Sequence, residues 1–289
     1  MNQSDACTVI LDFCREAGEI ARRRQYGHCV TYKSDGSRVT EADKEISELL
    51  NHKLRNVLTS AEHLLVDEEQ ANLDELLVSP EITRAKYLWV VDPIDGTTVY
   101  SAGHFQYGIS IGILKDCKPW LGAVYFPALR ELFYDDGDEG FLISEAFTVN
   151  ESHRKIATFA SLSRTNPVFI GLDPFLGELK WQSSSHSLIL PGSAVAALCW
   201  PLAGRAIGGL FYANLWDLAG AWPLVKRAGM ELHNLRTGDI LQEFSVEKFQ
   251  GNPKNRNWRI HDYYIVCQSQ DFQRIQNMIL YRQPSLNDK

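Results

Sequence analysis

The stretch LWVVDPIDGTT, residues 88–98, constrains this chain more than any other. Four strand-forming residues, Leu88, Trp89, Val90 and Val91, run straight into the turn composition of Asp92, Pro93, Ile94, Asp95 and Gly96. The pattern predicts a buried strand that ends abruptly, with two carboxylates emerging together. If the turn opens into a helix at Gly96, Thr97 and Thr98, backbone N–H groups without helical acceptors point at whatever the carboxylates hold. Asp92 and Asp95 cannot sit close together unless one takes up a proton or a cation intervenes. Hard oxygen donors favour magnesium, calcium or manganese over zinc, and magnesium commonly binds through a few carboxylates plus phosphate oxygens. The simpler reading of such a stretch is a solvated Asx turn closing a hairpin.

The rest of the chain narrows the class. Its 289 residues allow one large or two medium domains, and 45% hydrophobic and 22% charged residues are ordinary for a folded, soluble protein. A net charge of -7 with scattered Lys and Arg argues against a nucleic-acid polymer as partner, and the run Arg22–Arg24 reads as a solvated helix end. Near the N-terminus Val9, Ile10, Phe13, Ala17, Ile20 and Ala21 have helical spacing, as in an amphipathic surface helix and unlike a signal peptide. The apolar region 194–211 is interrupted by Pro201, Gly204, Arg205, Gly208 and Gly209, so no membrane span is expected. Six widely spaced cysteines without a C-x-x-C pair suit reduced thiols in the cytoplasm.

Taken in order, the composition predicts a KSDGS turn and then a helix over 41–58. Thr40 would cap that helix, leaving Asp43 either as a first-turn carboxylate or as a residue presented toward a site. The short strand 63–66 ends in Asp67, Glu68 and Glu69, a second strand followed by carboxylates, or else an acidic loop. Residues 107–134 read as an antiparallel meander and 155–161 as a new strand, with a domain boundary near residue 150 that gives units 1–150 and 151–289. The second half alternates a helix over 172–180, a core helix over 193–203, a strand ending at Tyr212, and a helix capped by Asp217 and interrupted at Pro223. The fold class is therefore α/β or α+β.

Asp43 in VTEAD, Glu68-Glu69, D-P-I-D-G-T-T and the W-D of Trp216-Asp217, in this order, resemble the inositol monophosphatase family of lithium-sensitive, magnesium-dependent phosphatases. The similarity runs from K-S-D-G-S-x-V-T-x-A-D to W-D-L-A-G and Ala228-Gly229. It implies a layered αβαβα sandwich of the inositol monophosphatase and fructose-1,6-bisphosphatase type, and a homodimer. It also implies two or three magnesium ions, with Glu68, Asp92 and the Ile94 carbonyl on one, and Asp92, Asp95 and Asp217 on another. Glu69 would support the metal shell. Gly96, Thr97 and Thr98 would hold phosphate, and Thr97 with Asp43 would orient the attacking water. The implied reaction is in-line attack of a metal-activated water on a small phosphomonoester, without a covalent phosphoenzyme.

Two departures bear on the substrate. The family often has Gly-Glu-Glu where this chain has Asp67-Glu68-Glu69, and inositol-hydrolysing members carry a hydroxyl-contacting glutamate where this chain has Leu210. The early K-S-D-G-S-x-V-T and Asn214–Asp217 also resemble the branch acting on 3'-phosphoadenosine 5'-phosphate, whereas Thr98-Val99-Tyr100 lies nearer the inositol branch. A catalytically silent, ligand-binding relative is the reading from another class. Such a protein loses metal ligands or the water-activating pair, and both sets of residues are in place here.

Overall fold

The structure, a computed structural model, describes residues 1–25, 30–32, 38–71, 73–251 and 258–282. The expected KSDGS turn lies outside them. Helix α1 (Gln3–Arg24) is followed by the ribbon β1 (Val30–Tyr32) and β2 (Arg38–Thr40), then α2 (Glu41–Leu54) and β3 (His63–Asp67). Two short helices, α3 (Leu73–Val78) and α4 (Glu81–Arg84), lead into β4 (Tyr87–Asp95) and the single turn α5 (Thr97–Ser101). Strands β5 (Gly108–Lys115), β6 (Lys118–Phe126) and β7 (Glu131–Asp135) form the expected meander, and β8 (Gly140–Ser144) and β9 (Ser152–Lys155), which the sequence reading did not foresee, extend it. All belong to one seven-stranded sheet ordered β3-β4-β5-β6-β7-β8-β9, in which only β3 and β4 run parallel.

The second half begins with α6 (Ala160–Thr165), β10 (Val168–Ile170), α7 (Pro174–Gly177), β11 (Leu179–Trp181) and β12 (Ser187–Ile189). It continues with α8 (Ala194–Leu202), β13 (Gly208–Phe211), α9 (Leu215–Ala219), α10 (Trp222–Arg227) and β14 (Glu231–Asn234). The last elements are α11 (Val246–Phe249), β15 (Tyr264–Cys267), α12 (Ser269–Gln276) and β16 (Ile279–Tyr281). A five-stranded sheet is ordered β12-β10-β13-β15-β14. Helices α8 and α9 lie between the two sheets, with α1 and α2 outside the first and α12 outside the second. This is the αβαβα sandwich.

Strand β4 shows why the layers form. All nine of its residues are buried, and alternate side chains face opposite ways. Trp89 and Val91 pack with Ile10, Phe13, Ile46 and Leu50 of α1 and α2, whereas Leu88 and Val90 join the core of Leu198, Leu210 and Leu218. A strand clothed on both faces reads as a continuous apolar run, which is what residues 88–91 are.

Several boundaries differ from the sequence reading. Strand β4 does not stop at Asp92 but continues to Asp95 through a bulge: Asp92 faces Ser110 and Asp95 faces Gly108, three steps on one strand against two on the other. Pro93, which has no N–H to give a ladder, falls inside that irregularity. Helix α2 ends at Leu54 rather than 58, ahead of the turn-prone Asn56, Thr59 and Ser60. Past Lys155, where β9 ends, the expected strand over 155–161 does not continue, because Ile156 and Phe159, three apart, turn inward together on a 3₁₀ helix. Within 172–180 only Pro174–Gly177 is helical, and Leu179 pairs instead with Tyr281. The interruption expected at Pro223 is present, with Pro223 in the first turn of α10, where its missing N–H costs nothing.

Candidate active site

Because β3 and β4 are parallel neighbours, with Val66 opposite Val90 and Asp67 opposite Val91, their C-terminal ends lie side by side. The Glu68 N–H donates to the Val91 carbonyl at 3.2 Å, which sets Glu68 next to Asp92. The acidic-loop reading of 67–69 gives way to convergence of two strand ends. Asp67, the departure from glycine, accepts from the Glu69 N–H at 3.1 Å and so closes the turn that follows β3.

Asp217 is brought to the same place by glycines. Gly112 of β5 and Gly122 of β6 face each other across the ladder, and a Cβ on either would stand 2.2 or 2.4 Å from the carbonyl oxygen of Ala219 or Gly220. The end of α9 therefore rests directly on the sheet. Fully buried Ser110, opposite Asp92, donates to the Trp216 carbonyl at 2.7 Å and accepts from the Gly220 N–H at 3.3 Å. Asp217 itself is not the helix cap. Asn214 holds that position, and the Asp217 carboxylate reaches back to its N–H at 2.7 Å.

One carboxylate oxygen from each of Asp92, Asp95 and Asp217 lies within 4.8 Å of the others, and all three residues are buried. Burial drives Asp92 well above the ordinary carboxylate range, and the charges of Glu68, Asp217 and Asp95 push it further. Asp95 is pushed up to about 7 by burial and by Asp217. Asp217 is raised by burial, although its bonds with Asp92 and Asn214 and the charge of Arg259 pull it back. Three mutually repelling carboxylates with hard oxygen donors are suited to a divalent cation, which would remove the cause of each upward shift.

Asp95 has a support that the sequence did not reveal. Ser193, expected as a helix start, does cap α8 by accepting from the Ala196 N–H at 3.2 Å. Its hydroxyl also donates to Asp95, and the Ala194 and Val195 N–H groups donate to the same carboxylate at 3.1 Å each. Gly192-Ser193 was the only sequence signal, and it marks a cap without saying what the cap touches.

The three aspartates, Glu68, Ile94, Gly96, Thr97 and Thr98 line one cavity of about 420 Å³. Gly96 takes φ +81° to turn β4 into α5, and the N–H groups of the first α5 turn have no acceptor within that helix. Thr97 donates its hydroxyl to the Ile94 carbonyl at 3.1 Å. Asp43 and Glu69 do not line this cavity. Asp43 is the third residue of a capping box, accepting from the Thr40 N–H at 2.7 Å and hydroxyl at 2.5 Å. Burial raises it to about 6 against those bonds, with the charge of Glu69 adding to the rise. Its second oxygen, Oδ1, is buried without a hydrogen-bond partner. Arg38, Tyr212 and Arg259, which the sequence reading did not single out, complete part of the cavity wall.

The profile of the Inositol monophosphatase family matches residues 3–271. Inositol monophosphatase 3 of Solanum lycopersicum is 32% identical over 230 residues, covering 76% of this chain and 82% of the relative. A 3'(2'),5'-bisphosphate nucleotidase CysQ of Aggregatibacter actinomycetemcomitans is 31% identical over 126 residues, 43% of this chain and 45% of the relative. The solved structure of the Thermotoga maritima IMPase superposes with a TM-score of 0.71 at 21% identity, over 95% of this chain and 96% of that one.

Proposed function

The chain belongs to the inositol monophosphatase family and is a phosphoric monoester hydrolase, and on that premise we propose that it is a magnesium-dependent phosphatase of a small phosphorylated polyol or sugar. The observation that carries the reading is the buried cluster of Asp92, Asp95 and Asp217 at the foot of the α5 turn.

Glu68, Asp92, Asp95, Asp217 and the Ile94 carbonyl would hold two or three magnesium ions. Bound there, the ions supply neutralising charge for the phosphate and acidify water. The chain does the remaining work. The N–H groups of Gly96, Thr97 and Thr98 bind the phosphate oxygens. Family resemblance gives Asp43 and Thr97 the orientation of the attacking water and Glu69 the support of the metal shell; neither Asp43 nor Glu69 lines the cavity, so both would act through the groups that do, such as the Thr97 hydroxyl held on the Ile94 carbonyl. Ser193 holds Asp95 in place and favours its ionised form. Residues 1–150 thus contribute most ligands and residues 151–289 contribute Asp217 and the substrate-facing loops. A cytoplasmic homodimer completes the proposal. The cysteines among the described residues are free thiols, and none of the described helices is long and apolar enough to cross a membrane.

A second reading, hydrolysis of 3'-phosphoadenosine 5'-phosphate, is favoured by Leu210. It is buried in the core and does not line the cavity, so the chain has no acidic contact to substrate hydroxyls at that position. Phosphate release with magnesium from inositol 1-phosphate, fructose 1,6-bisphosphate, histidinol phosphate and 3'-phosphoadenosine 5'-phosphate separates the two. Turnover that disappears in Asp95→Asn supports the metal site and picks the branch. No release from any of them, with magnesium or manganese, overturns the proposal.

A further inference from the structure

We propose, resting on the phosphatase reading above, that Arg259 binds a second anionic group on the part of the substrate that leaves phosphorus, making bisphosphates the preferred class over neutral polyol monophosphates. The residue is built into the same unit that positions Asp217. The Ile260 N–H donates to the Ala213 carbonyl and the Leu215 N–H to the Trp258 carbonyl, both at 3.0 Å, and Arg259 pairs with Asn214 as an isolated antiparallel bridge. Arg259 is thereby fixed relative to the aspartate cluster by backbone bonds.

The preceding residue supports the placement. Trp258 adopts φ +67°, a region that costs a bulky side chain free energy, and it is buried with its indole N–H on the Leu73 carbonyl at 3.0 Å. Such an outlier persists only where its surroundings over-determine it, and here the outcome is to deliver Arg259 to the cavity wall. There the guanidinium carbon lies 5.3 Å from the Tyr212 ring centre. A guanidinium stacked on an aromatic face keeps a planar edge of N–H donors matched to phosphate or carboxylate. The cavity wall also carries Asp173 and Glu178, which leaves Arg38 and Arg259 as the cationic side chains among the described residues that line it.

The test compares the full-length wild-type protein with Arg259→Gln and Arg259→Lys. We expect Arg259→Gln to lower the kcat/KM ratio of a bisphosphate over inositol 1-phosphate about tenfold or more, mainly through KM, with partial recovery in Arg259→Lys. Fructose 1,6-bisphosphate and 3'-phosphoadenosine 5'-phosphate are separate arms, and the arm that responds identifies a sugar or a nucleotide leaving group. Calorimetry supplies a readout independent of turnover: fructose 6-phosphate or adenosine 5'-phosphate should lose about tenfold in affinity in Arg259→Gln, relative to inorganic phosphate. An unchanged ratio, or equal loss for all substrates with a shifted pH profile, overturns the proposal and leaves Arg259 as a partner of Asp217 alone. If no substrate is turned over, the phosphatase reading fails, while the product affinities still decide for or against anion binding at Arg259.

Discussion

Replacing Ser193 with alanine should change the pH at which the protein works, not only its stability. The hydroxyl caps α8 and donates to Asp95. Losing the cap costs about 1 kcal/mol, and losing a hydrogen bond to a buried carboxylate costs about 1.5–3 kcal/mol. The second term acts only on the ionised form of Asp95, so it raises further a group already pushed up to about 7. At about 1.4 kcal/mol per pH unit the rise is about 1 to 2 units. Near neutral pH the cluster then holds its proton more tightly, and a cation must displace it. Apparent magnesium affinity at pH 7 should fall by about tenfold or more, and the acid limb of kcat/KM should move upward by about one unit. Ser193→Thr, which restores a hydroxyl, should recover most of both. Magnesium titration and a pH profile on the two variants provide the assay. A variant that melts earlier but keeps its acid limb and its magnesium affinity would refute the argument that this bond sets the charge of Asp95.

Other outcomes follow from the same structure. In the metal-free protein Asp43 at about 6 and Asp95 at about 7 lie above the ordinary carboxylate value of their unfolded states. The folded state therefore binds more protons between about pH 4 and 7, and stability falls as pH rises through that window, by about 3 kcal/mol for Asp43 alone. Melting temperature in a chelator should drop from pH 5 to pH 8 and recover on adding magnesium; a flat profile contradicts the burial of these charges. Gly112→Ala places a methyl group 2.2 Å from the Ala219 carbonyl oxygen, and displacing α9 should cost about 1–3 kcal/mol and withdraw Asp217 enough to lower turnover about tenfold or more. Leu210→Glu puts an unpaired carboxylate in the core, so urea unfolding should show a loss of about 3 kcal/mol or more with no gain on inositol 1-phosphate. An intact protein that gains that activity would show that position 210 reaches the cavity.

The sequence told most where one residue type has one cheap explanation. A run such as Leu88–Val91 can hardly be other than a doubly buried strand, and two aspartates at its end announce a charge problem that something must solve. Convergence of Glu68 on Asp92 was legible as two strand ends followed by acids, although only parallel pairing made them neighbours. What stayed hidden depends on non-local contact. Nothing around Gly112 and Gly122 says that a helix far later in the chain uses the space, or that Ser110 holds it there. Asp217 was misplaced as a cap because an N3 carboxylate and an N-cap carboxylate share the same local sequence signal, and only Asn214 three residues earlier separates them. Thr97 lines the cavity and Asp43 does not, and the Thr97 hydroxyl is turned to the Ile94 carbonyl, a bond that no spacing rule foretells.

The most direct test of the central claim is phosphate release by Asp92→Asn, measured with saturating magnesium beside the melting temperature of the same metal-free variant at pH 8. If Asp92 is a repelled carboxylate kept for a metal, the amide should abolish turnover while the metal-free fold becomes more stable. Turnover that survives in the folded variant, or an activity loss explained by unfolding, would contradict the claim that these aspartates form a catalytic metal centre.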